Sequence, residues 1–279
     1  MLGKRSSRYF EAMNHRSDDF EELYALLSKA AERYRSVRAT LVHAVNATLA
    51  KEANRRFVDW RFDGREPGMG IIGKPGPPEP EDFYNEYVDS EERINLWHRV
   101  PALWRDEIYD SEGRLKDAEV HGGKNGPRWT YEKHDPAQEV RAVYMPRIPE
   151  RQETDTRFSF MFDPSETAFF ETFWDGTIVN KTGRELTVAG RGCVEVRAKT
   201  VSWGYPPQVF NAYGASSEGA TDHLLLVDEE MGTILRVDAR LKGREFRVAE
   251  ATVVAFDEKF RDGTFRLDLP GVQFRQLDI

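Results

Sequence analysis

The chain of 279 residues has little of what usually announces a chemistry. It carries a single cysteine, Cys193, which excludes an internal disulfide and a thiolate metal cage. That cysteine sits in the alternating stretch RGCVEVR, residues 191–197, so it reads as a small buried hydrophobe rather than a nucleophile. Positive charge is not in excess: 40 Lys and Arg against 48 Asp and Glu give −8. A nucleic-acid partner needs a concentrated basic face, whereas these basic residues come in ones and twos between acids, as on a solvated surface. No apolar run approaches the ~20 residues of a membrane span. The start, MLGKRSSRYFEAMNH, is basic but leads into no apolar core, and no lipidation cysteine follows. A chain without an export signal, in the cytoplasm, is the expectation.

Paired histidines are missing too. His15, His43, His98, His121, His134 and His223 are dispersed, with no i+4 partner and no HExxH, so neither a metal nor any other cofactor is indicated. His121, before a glycine turn, and His134, after a strand, are expected at the surface. A G-x-S-x-G elbow is absent. The glycines 68, 70 and 73 followed by Lys74 fit G-x-G-x-x-G and G-x-x-x-x-G-K. Both motifs need a helix to open behind them. Pro75, Pro77 and Pro78 forbid one, and Pro75 stands where a phosphate loop needs a hydroxyl. The stretch is read as a loop, an insertion over 64–81.

What is present is β-pattern and aromatics. In residues 222–270 three or four strands alternate with short turns. Leu235, Val237, Ala239 and Leu241 point one way, and Arg236, Asp238 and Arg240 the other. One face is therefore buried and one wet. Glycines 232 and 243 sit where hairpin turns need positive φ. The apolar set passes from Phe246 and Val248 to Ala251, Val253 and Ala255, a parity change that suggests a bulge near Ala249–Glu250. Upstream, Asp18 with Glu21 opens a helix whose stripe is Phe20, Leu23, Leu26, Leu27, Ala30, Ala31 and Tyr34. Residues 37–45 alternate as a strand, although ATLAKEANRR just after is helix-compatible; FVDWRF, 57–62, looks like a second strand. Short strands are expected over 93–99, 102–109, 115–121, 128–133, 185–189 and 193–199. Asp163-Pro164-Ser165-Glu166 signals a second helix bearing Phe169, Phe170, Phe173 and Trp174.

Residues 1–17 are read as loosely held, and 18–279 as one α+β domain. Its expected form is a single curved antiparallel sheet with helices over the concave face. An ordinary helix–sheet core explains the aromatics on one reading. On the other they line an apolar cavity formed by Trp97, Trp104, Trp129, Phe160, Phe162, Phe169, Phe170, Phe173, Leu235, Val237, Phe246 and Val248.

Taken in order, several stretches resemble the LolA/RseB-like superfamily, the periplasmic lipoprotein carriers and their relatives. They are FEELYALLSKAAERYRSVRAT, PALWRDEIYDSEGRLKDAEVHGGKNGPRWTYEK, FMFDPSETAFF, VAGRGCVEVRAK and DHLLLVDEEMGTILRVDARLKGREFRVAEATVVAFDE. The resemblance implies an unclosed half-barrel with lid helices, binding acyl chains without covalent chemistry. The missing export signal departs from it. The family's lid-locking arginine is not placed either, Arg38, Arg55 and Arg56 all being candidates. Three functions follow: a carrier of a lipid or other hydrophobic small molecule, a module that binds a protein partner, or an enzyme on the same scaffold. The last would need a polar cluster such as His43 or His98 facing an acid.

Overall fold

The computed structural model describes residues 18–62, 88–123, 126–134, 139–146, 158–163, 177–200 and 219–277. Residues 1–17, the 64–81 loop, and the helix expected to carry Phe169, Phe170 and Phe173 lie outside them. The described chain forms a twelve-stranded sheet that does not close, in the order β12-β6-β5-β4-β3-β2-β1-β11-β10-β9-β8-β7. The strands are β1 (Ser36–Val45), β2 (Ser90–Arg99), β3 (Leu103–Tyr109), β4 (Leu115–Gly122), β5 (Arg128–His134), β6 (Glu139–Met145), β7 (Thr177–Val188), β8 (Arg191–Thr200), β9 (Asp222–Asp228), β10 (Ile234–Leu241), β11 (Arg244–Phe256) and β12 (Arg275–Gln276). All pairings are antiparallel except β12 on β6. The fold is the open antiparallel sheet of an α+β protein.

Helices α1 (Asp18–Leu27), α2 (Ala47–Phe62) and the single turn α3 (Ser159–Phe162) lie on one side. FVDWRF is thus helical, contrary to the strand expected there. Asn46 accepts the Leu49 amide on its side chain (3.0 Å), capping α2, and no breaker follows until Gly64. The first helix ends at Leu27 rather than running to Tyr34, yet Leu23, Leu27, Ala30 and Tyr34 are all buried. They join Val37, Ala39 and Leu41 of β1, Ile94 and Leu96 of β2, and Phe158, Met161 and Phe162 in the main core. Two backbone approaches dock the helices. A Cβ on Gly232, at φ +73°, would lie 2.2 Å from the Leu26 carbonyl oxygen; on Gly219 it would lie 1.7 Å from that of Ala53. Only glycine fits at either place.

The bulge expected near Ala249–Glu250 is two bulges. Phe246 has no partner between the pairs Arg240↔Glu245 and Ala239↔Arg247, and Thr252 has none between Leu41↔Ala251 and Thr40↔Val253. The first turns Phe246 onto Leu49, Ala50 and Ala53 of α2. The second turns Val253 outward and puts Val254 against the core, reversing the expected order of those two valines.

Beyond β11 the chain crosses to the opposite side of the sheet. Residues 264–274 form a strap that lays Leu267, with Phe265, Leu269, Val272 and Phe274, over Ala118, Val120, Tyr131 and Ala142. The sheet is therefore covered by helices on one side and by its own C-terminal segment on the other.

Candidate functional site

Directly opposed residues share a face, so the register fixes which aromatics can meet. One row runs His98, Trp104, His121, Arg128 across β2 to β5 on the helix side. The neighbouring row runs Trp97, Arg105, Val120, Trp129, Tyr144 across β2 to β6 on the strap side. The three tryptophans therefore do not share one cavity. Trp104, Phe160, Phe162, Leu235 and Val237 belong to the main core; Phe246 belongs to the smaller cluster on α2. Val248 pairs with Ala44 and Asp238 on the strap side and is half-buried. Trp97 and Trp129 also face the strap side.

The helix-side row is polar and closed. His98 stacks on Trp104 at 3.5 Å with the rings 7° apart, and its Nδ1 lies 3.0 Å from the Tyr34 hydroxyl. That hydroxyl donates to the Phe162 carbonyl at 2.8 Å, tying α3 down. Burial lowers the His98 pKa to about 3, against a raising contribution from the Pro101 backbone. Burial likewise lowers His223 to about 4. His121 is buried, not at the surface as expected: its Nε2 lies 3.0 Å from Glu119, which also pairs with Arg128. Its strand parity, shared with Trp104, outweighs the nearby glycine turn.

His43 does face an acid. Its Nδ1 lies 3.4 Å from Glu92, whose pKa is held down at about 2 chiefly by that contact and, against burial, by Lys116 at 2.6 Å. The imidazole is buried edge-on to Phe158, at 5.5 Å between centroids, so a substrate has no approach to it. The Cys193 thiol is buried and pushed up to about 11, mainly by that burial, which makes it a poor nucleophile at neutral pH. Among the described residues no group of three or more His, Cys, Asp or Glu could hold a metal. Of the candidate lid arginines, Arg38 points away from the helices and pairs with Glu258 at 2.7 and 3.0 Å. Arg55 is exposed on α2.

Among the described residues an open space lies on the strap side. A groove of about 530 Å³ is lined by Trp129, Tyr144, Phe274 and Arg266. Trp129 and Tyr144 are directly opposed on β5 and β6, with ring centroids 5.1 Å apart and planes tilted by 31°. Phe274 leads into β12, which is fixed to β6 by the pairs Arg275↔Val143 and Gln276↔Tyr144 and by the Leu277 amide donating to the Tyr144 carbonyl (2.9 Å). The other end of the strap is held by Arg105. Its Nη1 donates to the carbonyls of Thr264 (2.8 Å) and Arg266 (3.1 Å), its guanidinium pairs with Glu107, and it lies over Trp97 at 5.2 Å. Both walls are thus anchored. The Arg266 guanidinium is exposed and makes no side-chain hydrogen bond or ion pair among the described residues.

The described lining residues are three aromatic rings and one guanidinium, which offer binding by ring faces and a cation. Of the four, Trp129 alone is among the residues expected from the sequence. The strap left a signal, the alternation Phe265, Leu267, Leu269 past the last meander strand, but nothing in it marks Tyr144, Arg266 or Phe274.

The arrangement defines an open-sheet protein with an anchored aromatic groove on the side away from its helices. No protein-family model matches the chain, and no curated protein matches it. Among solved structures it is similar to MucB of Pseudomonas aeruginosa in its complex with MucA: 15% identity over 90% of this chain, TM-score 0.46. This chain spans 61% of the length of that one. It is also similar to an uncharacterized conserved protein from Thermus thermophilus, at 10% identity, covering 93% of this chain and 100% of that one, TM-score 0.44. A LolA superfamily protein from Nitrosomonas europaea matches at 9% identity, covering 88% of this chain and 97% of that one, TM-score 0.30. With TM-scores below 0.5, these likenesses assign no ligand, partner or activity.

Proposed function

We propose that the protein is a non-enzymatic binding protein that holds a hydrophobic ligand, an acyl chain or a body of similar build, against the strap side of its sheet. The observation that carries this reading is the groove of about 530 Å³ between Trp129, Tyr144 and Phe274, a volume within the range of small-molecule sites. On the helix side the described aromatics Tyr34, Trp104, Phe158, Phe160 and Phe162 are buried in the main core. Burial of each methylene contributes about 0.8 kcal/mol, so most of the affinity for a medium-length chain comes from its apolar body. Burial against aromatic faces needs no chemistry beyond fit.

Native mass spectrometry of gently purified protein, with titration of a fluorescent fatty acid, tests the reading. The expected result is one chain bound per protein, weakened at least ten-fold in Trp129→Ala and in Phe274→Ala. An apo mass alone, with no uptake at micromolar concentration, overturns it.

A second reading, a module that binds a protein partner, has one observation in its favour. Residues 139–142 of β6 have no strand beyond them among the described residues, because β12 pairs only with Val143 and Tyr144. Val140 on that edge is 46% exposed. An extended segment of a partner can add to such an edge. A stoichiometric partner in a pull-down, lost on Val140→Pro, would favour it over the carrier.

A further inference from the structure

We propose that the groove selects amphiphiles with a single anionic head, a long-chain carboxylate being the simplest, and that Arg266 is the contact for that head. This rests on the groove being a ligand site. Among the described lining residues three rings supply a wall for an apolar body, and one cation stands among them. Arg266 is exposed, and no acid engages its guanidinium among the described residues. Its place is set rather than loose, since Arg105 holds its carbonyl at 3.1 Å and Leu267, the next residue, is buried in the strap cluster. A guanidinium offers a carboxylate two parallel N–H donors, which a neutral head uses poorly. Three rings alone would suit a quaternary ammonium head by cation–π attraction. The arginine in the same wall repels that head, and this decides between the two.

The test compares three twelve-carbon amphiphiles on the full chain by calorimetry, below their micelle concentrations: dodecanoate, dodecyl maltoside and dodecyl trimethylammonium. Dodecanoate is expected to bind about ten-fold more tightly than the maltoside and the ammonium most weakly, with the carboxylate preference shrinking as salt is raised. In Arg266→Gln the ratio of dodecanoate to maltoside affinity is expected to fall to about one. Equal affinities in the unmodified protein, a preference that survives Arg266→Gln, or tightest binding of the ammonium would each overturn the head-group assignment while leaving the groove as a ligand site. No binding by any of the three would overturn both.

Discussion

Lowering the pH from 6.5 to 4.5 is expected to remove about 4–5 kcal/mol of folding stability, with about two protons taken up on unfolding across most of that window. The cause is the pair of buried neutral imidazoles, His98 and His223, whose pKa values are lowered by burial to about 3 and about 4 from 6.5. The sign follows from which state binds the proton. Below 6.5 the unfolded chain protonates both rings while the folded protein keeps them neutral, so each pH unit favours unfolding by about 1.4 kcal/mol per ring. The loss continues until the folded rings themselves titrate. Glu92 acts in a lower window: held down at about 2 by His43 and Lys116, it stabilises the fold above 4.5 and loses that contribution as pH falls towards 2. Urea unfolding at pH 7, 6, 5 and 4.5 measures the slope directly. His223→Leu should halve it, and a flat profile would show that the imidazoles are not buried as described.

Leu267→Ala is the second large effect. Leu267 is 2% exposed and is the innermost strap residue over Ala118, Val120, Tyr131 and Ala142. Removing its side chain leaves a cavity beneath a segment with few other buried contacts, a loss of about 2–5 kcal/mol. The damage should be local, because the main core lies on the other side of the sheet. Hydrogen exchange over residues 264–277 should accelerate strongly while β1, β10 and β11 keep their protection. Chain uptake should fall with it, since Phe274 and Arg266 would no longer be held in place. Leu269→Ala, at a half-buried neighbour, serves as the milder comparison.

The sheet was legible because period-two alternation survives in sequence: Leu235, Val237, Ala239 and Leu241 are all buried on β10, as expected, although Asp238 on the face expected to be wet is buried too, paired with Arg236. The helix over 47–62 was misjudged because FVDWRF is β-branched and aromatic, while the Asn46 cap that launches the helix lies eleven residues earlier. The grouping of aromatics failed for a different reason. Trp97 and Trp104 are close in sequence, but the hairpin pairs Trp97 with Arg105, and that register sends the two indoles to opposite faces. Sequence proximity cannot reveal a face; only the pairing does. The bulges at Phe246 and Thr252 left a visible parity change, although the sequence placed it between them. The groove was least legible, because Trp129 and Tyr144 meet Arg266 and Phe274 only after the chain has crossed the sheet.

The most direct test of the central claim is where a bound chain sits. A photoactivatable long-chain carboxylate, irradiated on the protein and mapped by peptide mass spectrometry, should label residues 128–134, 139–146 and 264–277. Labelling confined to Phe158–Asp163 and the strands of the helix side, with none on Trp129, Tyr144 or Phe274, would contradict it.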